Sequence, residues 1–351
     1  MPFHLSFPFS PRTLGLLAGA LMLAGCDSPP DDPGMVIEGK IMGTVYRVSV
    51  AGVDQAARPA LARDILAVLN RDDQEISTYK PDSVLSRFNR YQGSEPQPIS
   101  ADMADVVVTA LRVGTLTQGA MDITVGPLVN LWGFGPDKQP AATPDAAQIA
   151  AARQKVGLSH LTVTARADGQ WLQKDLPGLY VDLSTVGEGY ATDHLARLME
   201  QHGISNYLVS VGGAVLSRGH NPQGRPWQVA IQKPTDRENA VQAIVDLQGH
   251  GISTSGSYRN YYELDGKRLS HVIDPATGRP ITHKLVSATV IAPTATLADT
   301  WDTGLMVLGT AKARALAEQQ QLAVYLITRE GDHFTHYMSP QFKAFLVSEA
   351  K

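Results

Sequence analysis

Several short stretches of this sequence gather side chains that could do chemistry. In Ala298-Asp-Thr-Trp-Asp-Thr303, Asp299 and Thr303 are four residues apart and Asp299 and Asp302 three apart. On a helix both spacings set oxygen atoms on one face. Carboxylate and hydroxyl oxygens suit a hard cation such as Mg2+, with water and substrate phosphate filling the octahedron. The same spacing equally suits a solvated polar face or a capping cluster, with Trp301 and Leu305 turned to the core. In Asp182-Leu-Ser-Thr-Val-Gly-Glu-Gly-Tyr190 a turn with two glycines precedes a helix pattern. Such a turn aims free N–H groups and the positive end of a helix dipole at an anion, or is simply a tight strand-to-helix turn. His271 stands three residues before Asp274, next to a Pro/Gly turn, and a histidine near a carboxylate could accept a proton; a lone histidine there is more often structural. Met42 and Tyr79, in Gly- and Ser-rich segments, could pack on a flat aromatic ligand, while Asp122 or Asp182 could accept from ring N–H groups. Core filling for Met42 and partly exposed packing for Tyr79 are the plainer readings. His333 and His336 lack a third partner for a transition metal.

The elements that must position these groups follow from periodicity. Strand patterns run over 41–50, 179–183, 207–211, 227–232, 243–248, 287–292 and 323–328. Helix patterns cover 54–69, 101–117, 190–202, 296–308 and 311–320, with Gly203 where a helix is stopped. Strands and helices do not alternate regularly, so the expectation is an α+β fold with largely antiparallel sheet, not a doubly wound parallel one. The length of 351 residues allows two lobes with a cleft between them.

Composition narrows the functions. Hydrophobic residues make up 43% and charged residues 18%, enough apolar side chain for a sizeable core. A net charge of −4 gives no basic excess to hold nucleic acid. A mean hydropathy of −0.10 excludes a polytopic membrane protein. A single cysteine, Cys26, rules out an intrachain disulfide or a thiolate metal cage. It follows Arg12, an apolar run from Thr13 to Ala24 and the junction Leu23-Ala-Gly-Cys26, which resembles a bacterial lipobox. Residues 1–25 then read as a lipoprotein signal peptide, with Cys26 the acylated new amino terminus. Residues 26–35 form a Pro/Gly tether and 36–345 a single large domain. Asp27 resembles the signal for retention at the inner membrane, which places the domain on its periplasmic side.

Met42-Gly-Thr44, Ser77-Thr-Tyr79, Met121 to Leu128, Asp182-Leu183 through Tyr190, Val211-Gly-Gly213, Thr254-Ser-Gly256, His271 to Gly278 and Ala298-Asp299 through Thr303 occur in this order. Together they resemble the ApbE family of periplasmic flavin transferases, especially its gammaproteobacterial form, over roughly 36–345. The resemblance implies a two-lobed fold with FAD in the cleft. It implies Mg2+-dependent transfer of FMN from FAD to a Thr or Ser hydroxyl of a partner protein, with release of AMP. Implied cation ligands are Thr185, Asp299, Asp302 and Thr303. Implied FAD contacts are Met42, Tyr79, Ala120, Met121, Asp122, Asp182, Glu188 and Ile273. His271 becomes the candidate proton acceptor and Asp274 its orienter. Many family members carry Lys where this chain has Glu188, and a carboxylate meets a phosphate only through a cation. Implied acceptors are flavin-bearing subunits of sodium-translocating NADH:quinone oxidoreductase or Rnf-type complexes. A passive FAD-binding lipoprotein and a Mg2+-dependent FAD pyrophosphatase are the alternatives.

Overall fold

A computed structural model describes residues 34–136, 139–235, 240–258 and 261–349. Cys26 and the expected signal peptide lie outside the described residues.

The chain enters through β1 (Met35–Ile41) and β2 (Thr44–Val50), then α1 (Arg58–Ile76), α2 (Val84–Arg90), β3 (Gln97–Ile99) and α3 (Ala101–Leu116). Next come α4 (Gly126–Leu131), α5 (Ala146–Arg153), β4 (Leu161–Arg166), β5 (Gly169–Lys174) and α6 (Gly187–Gln201). Strands β6 (Tyr207–Val211), β7 (Ala214–Arg218), β8 (Val229–Gln232), β9 (Val241–Val245) and β10 (Gly251–Gly256) follow. Two small hairpins are β11 (Tyr261–Leu264) with β12 (Lys267–Ser270), and β13 (Ile273–Asp274) with β14 (Arg279–Pro280). The chain closes with β15 (Leu285–Ala292), α7 (Ala295–Leu308), α8 (Thr310–Gln319), β16 (Ala323–Glu330), β17 (His333–Met338) and β18 (Leu346–Glu349).

Eight strands form the main sheet in the order β1-β2-β6-β7-β10-β15-β16-β17, and each neighbouring pair is antiparallel. The expected α+β architecture with antiparallel sheet is what the chain adopts. Seven of the eight residues of β15 are buried, as a central strand covered on both faces must be. Helices α6 and α7 lie against β6, β7, β10 and β15 and against each other. On another side, Ala243 and Val245 of β9 share a core with Ile252, Ile291 and Tyr325 of the main sheet. The described residues fall within one compact contact unit. Strand β18 pairs with β9, so the domain runs past the expected boundary at residue 345.

Three local expectations change. The strand pattern over 41–50 is two strands of a hairpin. Met42 (φ 51°) and Gly43 (φ 74°) make its two-residue turn, whose left-handed backbone matches the twist of the strands. Leu179–Leu183 is largely buried but belongs to no sheet, because apolar alternation reports burial, not the presence of a neighbouring strand. Helix α6 starts at Gly187, so the two glycines sit in its first turn. A Cβ on Gly189 would lie 2.5 Å from the Ala295 carbonyl oxygen; glycine is what lets α6 and α7 approach so closely.

Candidate active site

The site is built where α6 and α7 cap each other. Asp193 of α6 accepts from the Ala295 and Thr296 N–H groups at 2.8 and 2.9 Å and from the Thr296 hydroxyl at 2.6 Å. Those donors open α7 and have no intrahelical acceptor. In return, Asp299 of α7 accepts from the Gly189 N–H at 2.8 Å, in the first turn of α6. Its other oxygen accepts from the Ser253 hydroxyl of β10 at 3.1 Å. This reciprocal clamp fixes the turn of α7 that carries Asp302.

Asp302 is 1% exposed. Its Oδ1 lies 3.3 Å from the Thr303 hydroxyl, which also reaches the Thr185 carbonyl at 3.4 Å. Asp302 Oδ2 and Thr185 Oγ1 are buried without a hydrogen-bond partner, and an unmatched buried polar atom is costly. Burial first, and then Glu188 and Asp193, push the Asp299 carboxyl well above its ordinary value. Burial and the Asp299 charge do the same to Asp302. A cation reverses that balance, because it repays both the desolvation and the mutual repulsion of the carboxylates. The donors at this corner are carboxylate, hydroxyl and carbonyl oxygens, which fit a hard cation such as Mg2+. Among the described residues no three His, Cys, Asp or Glu side chains gather as a metal-holding group, so the hydroxyls are needed to complete the set.

Glu188 takes a scaffold role. It accepts from the Gly213 N–H at 2.6 Å and from the Thr44 hydroxyl, while burial raises its pKa. One carboxylate thus ties the start of α6 to the β6–β7 turn and the β1–β2 hairpin. Met42, in that hairpin, is half-buried against two core clusters beside Gly187.

The expected flavin contacts divide into two groups. Tyr79 is 65% exposed, and its hydroxyl donates to the Phe134 carbonyl at 3.4 Å. Partial burial and the nearby Asp182 carboxylate push its phenol pKa up. Phe134 in turn contacts Tyr262 (ring centroids 5.0 Å apart) and His271 (6.4 Å). Tyr79 and His271 therefore meet at the Phe134 rim, with Asp182, three residues before Thr185, close to the Tyr79 phenol. Met121 and Ile273 instead sit in the core, Ala120 is nearly buried, and Ile273 packs with Val125 and Trp132. Asp122 Oδ1 accepts from the Thr124 N–H and hydroxyl at 2.7 and 2.6 Å, and burial raises its pKa; this oxygen builds a turn. Asp274 Oδ1 likewise accepts from the Ala276 N–H at 2.9 Å, shaping the turn after His271. Sequence reasoning missed Asp193 and Ser253. Asp193 meets its partners 102 and 103 residues away, and no local spacing signals such a bond; Ser253 directly precedes a segment already singled out.

Residues 42–326 match the family model described as the ApbE family. The chain is 65% identical to the FAD:protein FMN transferase of Klebsiella pneumoniae, covering 95% of this chain and 97% of that one. The structure of the flavin transferase ApbE from Vibrio cholerae superposes with a TM-score of 0.82 at 42% identity, covering 90% of this chain and all of that one. The apo flavinyl transferase ApbE of Pseudomonas stutzeri superposes at 0.81 with 36% identity over 91% of this chain and 98% of that one. The clamped helix pair, the antiparallel sheet beneath it and these likenesses agree, and this chain belongs to the ApbE family.

Proposed function

We infer that this protein is an FAD:protein FMN transferase. The observation that carries the chemical reading is the buried corner of Asp302, Thr185 and Thr303, whose unmatched oxygens stand next to the first turn of α6. Relatives of this chain over nearly its full length bear that enzyme's name. In the reaction the hydroxyl oxygen of a partner Thr or Ser forms a bond to the FMN phosphorus. The bond from that phosphorus to the AMP oxygen breaks, AMP leaves, and the hydroxyl proton passes to a base.

Asp302, Thr303 and Thr185 would hold Mg2+, with Asp299 beside them. When bound, the cation supplies charge neutralisation on the pyrophosphate. The chain's own residues do the rest. The first turn of α6 offers N–H groups and a positive dipole end to the phosphates. Tyr79 and Met42 cover the isoalloxazine, and Asp182 accepts from the ligand. His271 is the proposed acceptor of the hydroxyl proton, on the rim where a partner protein can reach. An unassisted hydroxyl is a weak nucleophile, and a positioned base gives ~10²–10⁴-fold.

The test is incubation with FAD, Mg2+ and a candidate acceptor, such as a flavin-bearing subunit of a sodium-translocating NADH:quinone oxidoreductase or Rnf-type complex, followed by in-gel flavin fluorescence. A fluorescent acceptor band supports transfer. Release of free FMN with no band makes the protein a pyrophosphatase, and intact FAD makes it a binding protein. In the same assay His271→Asn is expected to keep its FAD affinity and melting temperature and to lose at least ~10²-fold in transfer. Unchanged transfer at every pH removes His271 from the mechanism.

The lipobox-like junction and Asp27 support acylation at Cys26 and a place on the periplasmic face of the inner membrane. Cys26→Ala should abolish labelling by a fatty-acid analogue; equal labelling of both proteins contradicts the anchor. Among the described residues no helix is long and apolar enough to cross a membrane.

A further inference from the structure

The segment that joins the two halves of the site, Leu179 to Thr185, has an unusual support. Leu179, Val181 and Leu183 are fully buried and Asp182 nearly so, yet the segment belongs to no sheet. Buried backbone N–H and C=O groups still need partners. At Val181 one side chain supplies both. Asn89 of α2 accepts from the Val181 N–H at 2.8 Å and donates to the Val181 carbonyl at 2.8 Å. This two-point pair reproduces one rung of a β-ladder with an amide side chain.

Asn89 is itself held. Lys174, the last residue of β5, is 2% exposed. Its ammonium donates to the Asn89 carbonyl at 3.0 Å and to the Leu179 carbonyl at 3.1 Å, and lies 5.1 Å from the centre of the Phe88 ring. Among the described residues it forms no ion pair with a carboxylate. Burying an ammonium against neutral carbonyls is costly, and burial lowers the Lys174 pKa. The Asn89 carbonyl belongs to the last turn of α2, where carbonyls lack helical partners and a cation is favoured by the helix dipole. One lysine thereby joins the end of α2 to the start of the buried segment. One residue beyond the Asn89 rung is Asp182, which accepts from Ser184 N–H at 2.9 Å; Thr185, with its unmatched hydroxyl, follows.

We propose that Asn89 and Lys174 are positioning residues for the transfer reaction. They stand in for a missing neighbouring strand and hold Asp182 and Thr185 at the meeting point of the flavin rim and the phosphate corner. Neither side chain touches FAD. The inference rests on the transferase reading, and it adds that part of the site is set by two side chains outside it.

The test compares Asn89→Leu and Lys174→Met with Phe342→Leu. Phe342 is fully buried in a separate core with Ile231, Val245 and Tyr325 that contains no residue of the segment, so it controls for general loss of stability. FAD affinity is read by fluorescence quenching at a temperature where melting curves show every variant folded. Asn89→Leu leaves the Val181 N–H and C=O without partners, and FAD Kd should rise on the order of tenfold. Lys174→Met keeps the Asn89 rung and should shift Kd the same way, by about threefold or more. Phe342→Leu, at a comparable drop in melting temperature, should bind FAD as the wild type does. Adding Thr185→Ala to Asn89→Leu should lower kcat/KM by less than Thr185→Ala does in the wild type, because the first change has already displaced that residue. Should Asn89→Leu fail to fold, Lys174→Met decides. Wild-type FAD affinity in folded Lys174→Met or Asn89→Leu, or an equal shift in Phe342→Leu, overturns the proposal. A wild-type protein that binds FAD but transfers no flavin counts against the transferase reading alone, since the comparison of affinities still stands.

Discussion

The α6–α7 junction and the aromatic rim meet within a few residues of chain, and they are built in opposite ways. At the junction, carboxylates are buried and tied down. Asp193 holds three donors, Asp299 two, and Glu188 bridges two turns. At the rim, Tyr79 is mostly exposed and anchored by one long hydrogen bond, and His271 reaches it through the ring of Phe134. A preorganised polar cluster costs little rearrangement when charge develops, so it suits a phosphoryl transition state. An open aromatic surface gives ground-state contact and admits a second protein. On the proposed reading, charge neutralisation at the phosphates belongs to the junction, while flavin and acceptor contact, with His271 as the proton acceptor, belong to the rim.

The largest expected effect comes from breaking the junction itself. Asp299→Ala removes the acceptor for Gly189 N–H and for the Ser253 hydroxyl, and a charge beside Asp302. Turnover at saturating FAD should fall on the order of a hundredfold or more, and the melting temperature should fall with it. Full activity at limiting Mg2+ would contradict both roles. A change at the rim should behave differently. Tyr79→Ala is expected to raise the KM for FAD about tenfold, by loss of ring stacking, with kcat little changed; steady-state kinetics in FAD separates the two. A large fall in kcat without a KM change would place Tyr79 in the chemistry.

The smallest effect probes the clamp alone. Asp193→Asn keeps one acceptor oxygen of the cap and should cost about 1 kcal/mol in urea unfolding. It should also change the pH dependence of stability. Burial raises the Asp193 pKa above 3.8 in the folded state, so the folded chain binds this proton more tightly than the unfolded chain does. That contribution is fully present below 3.8 and is lost as pH rises through the folded value. The variant should therefore show a shallower decline over this window. An identical slope would mean that the Asp193 carboxyl titrates alike in both states.

What was legible in the sequence follows the same division. The spacing of Asp299, Asp302 and Thr303 made one helical face readable, because helix period is local. Gly203, with φ 71°, ends α6 as a C-terminal glycine should. The order of eight short segments pointed to the family, and Tyr79 and His271 do meet at one rim, with Asp182 close to the Tyr79 phenol. Leu179–Leu183 was misread as a strand because Asn89 and Lys174, from 92 and 5 residues away, and the Ile123 carbonyl at Asp182 N–H supply bonds a strand would have made. Asp193, Ser253 and the scaffold role of Glu188 were hidden for the same reason: each acts across the fold, where no periodicity records the partner. The burial of Met121 and Ile273 comes from helices and strands packed around them, which their motifs alone did not signal.

Asp302→Asn is the most direct probe of the division between chemistry and binding, because Asp302 Oδ2 has no structural partner to lose. AMP release, covalent flavin on the acceptor and FAD affinity are measured together for the wild type and this variant. In the wild type one AMP should appear for each flavin attached. Asp302→Asn should bind FAD within about threefold of the wild type while both products fall by at least ~10²-fold. Wild-type transfer by Asp302→Asn, or a loss of FAD affinity as large as the loss of transfer, would contradict the account.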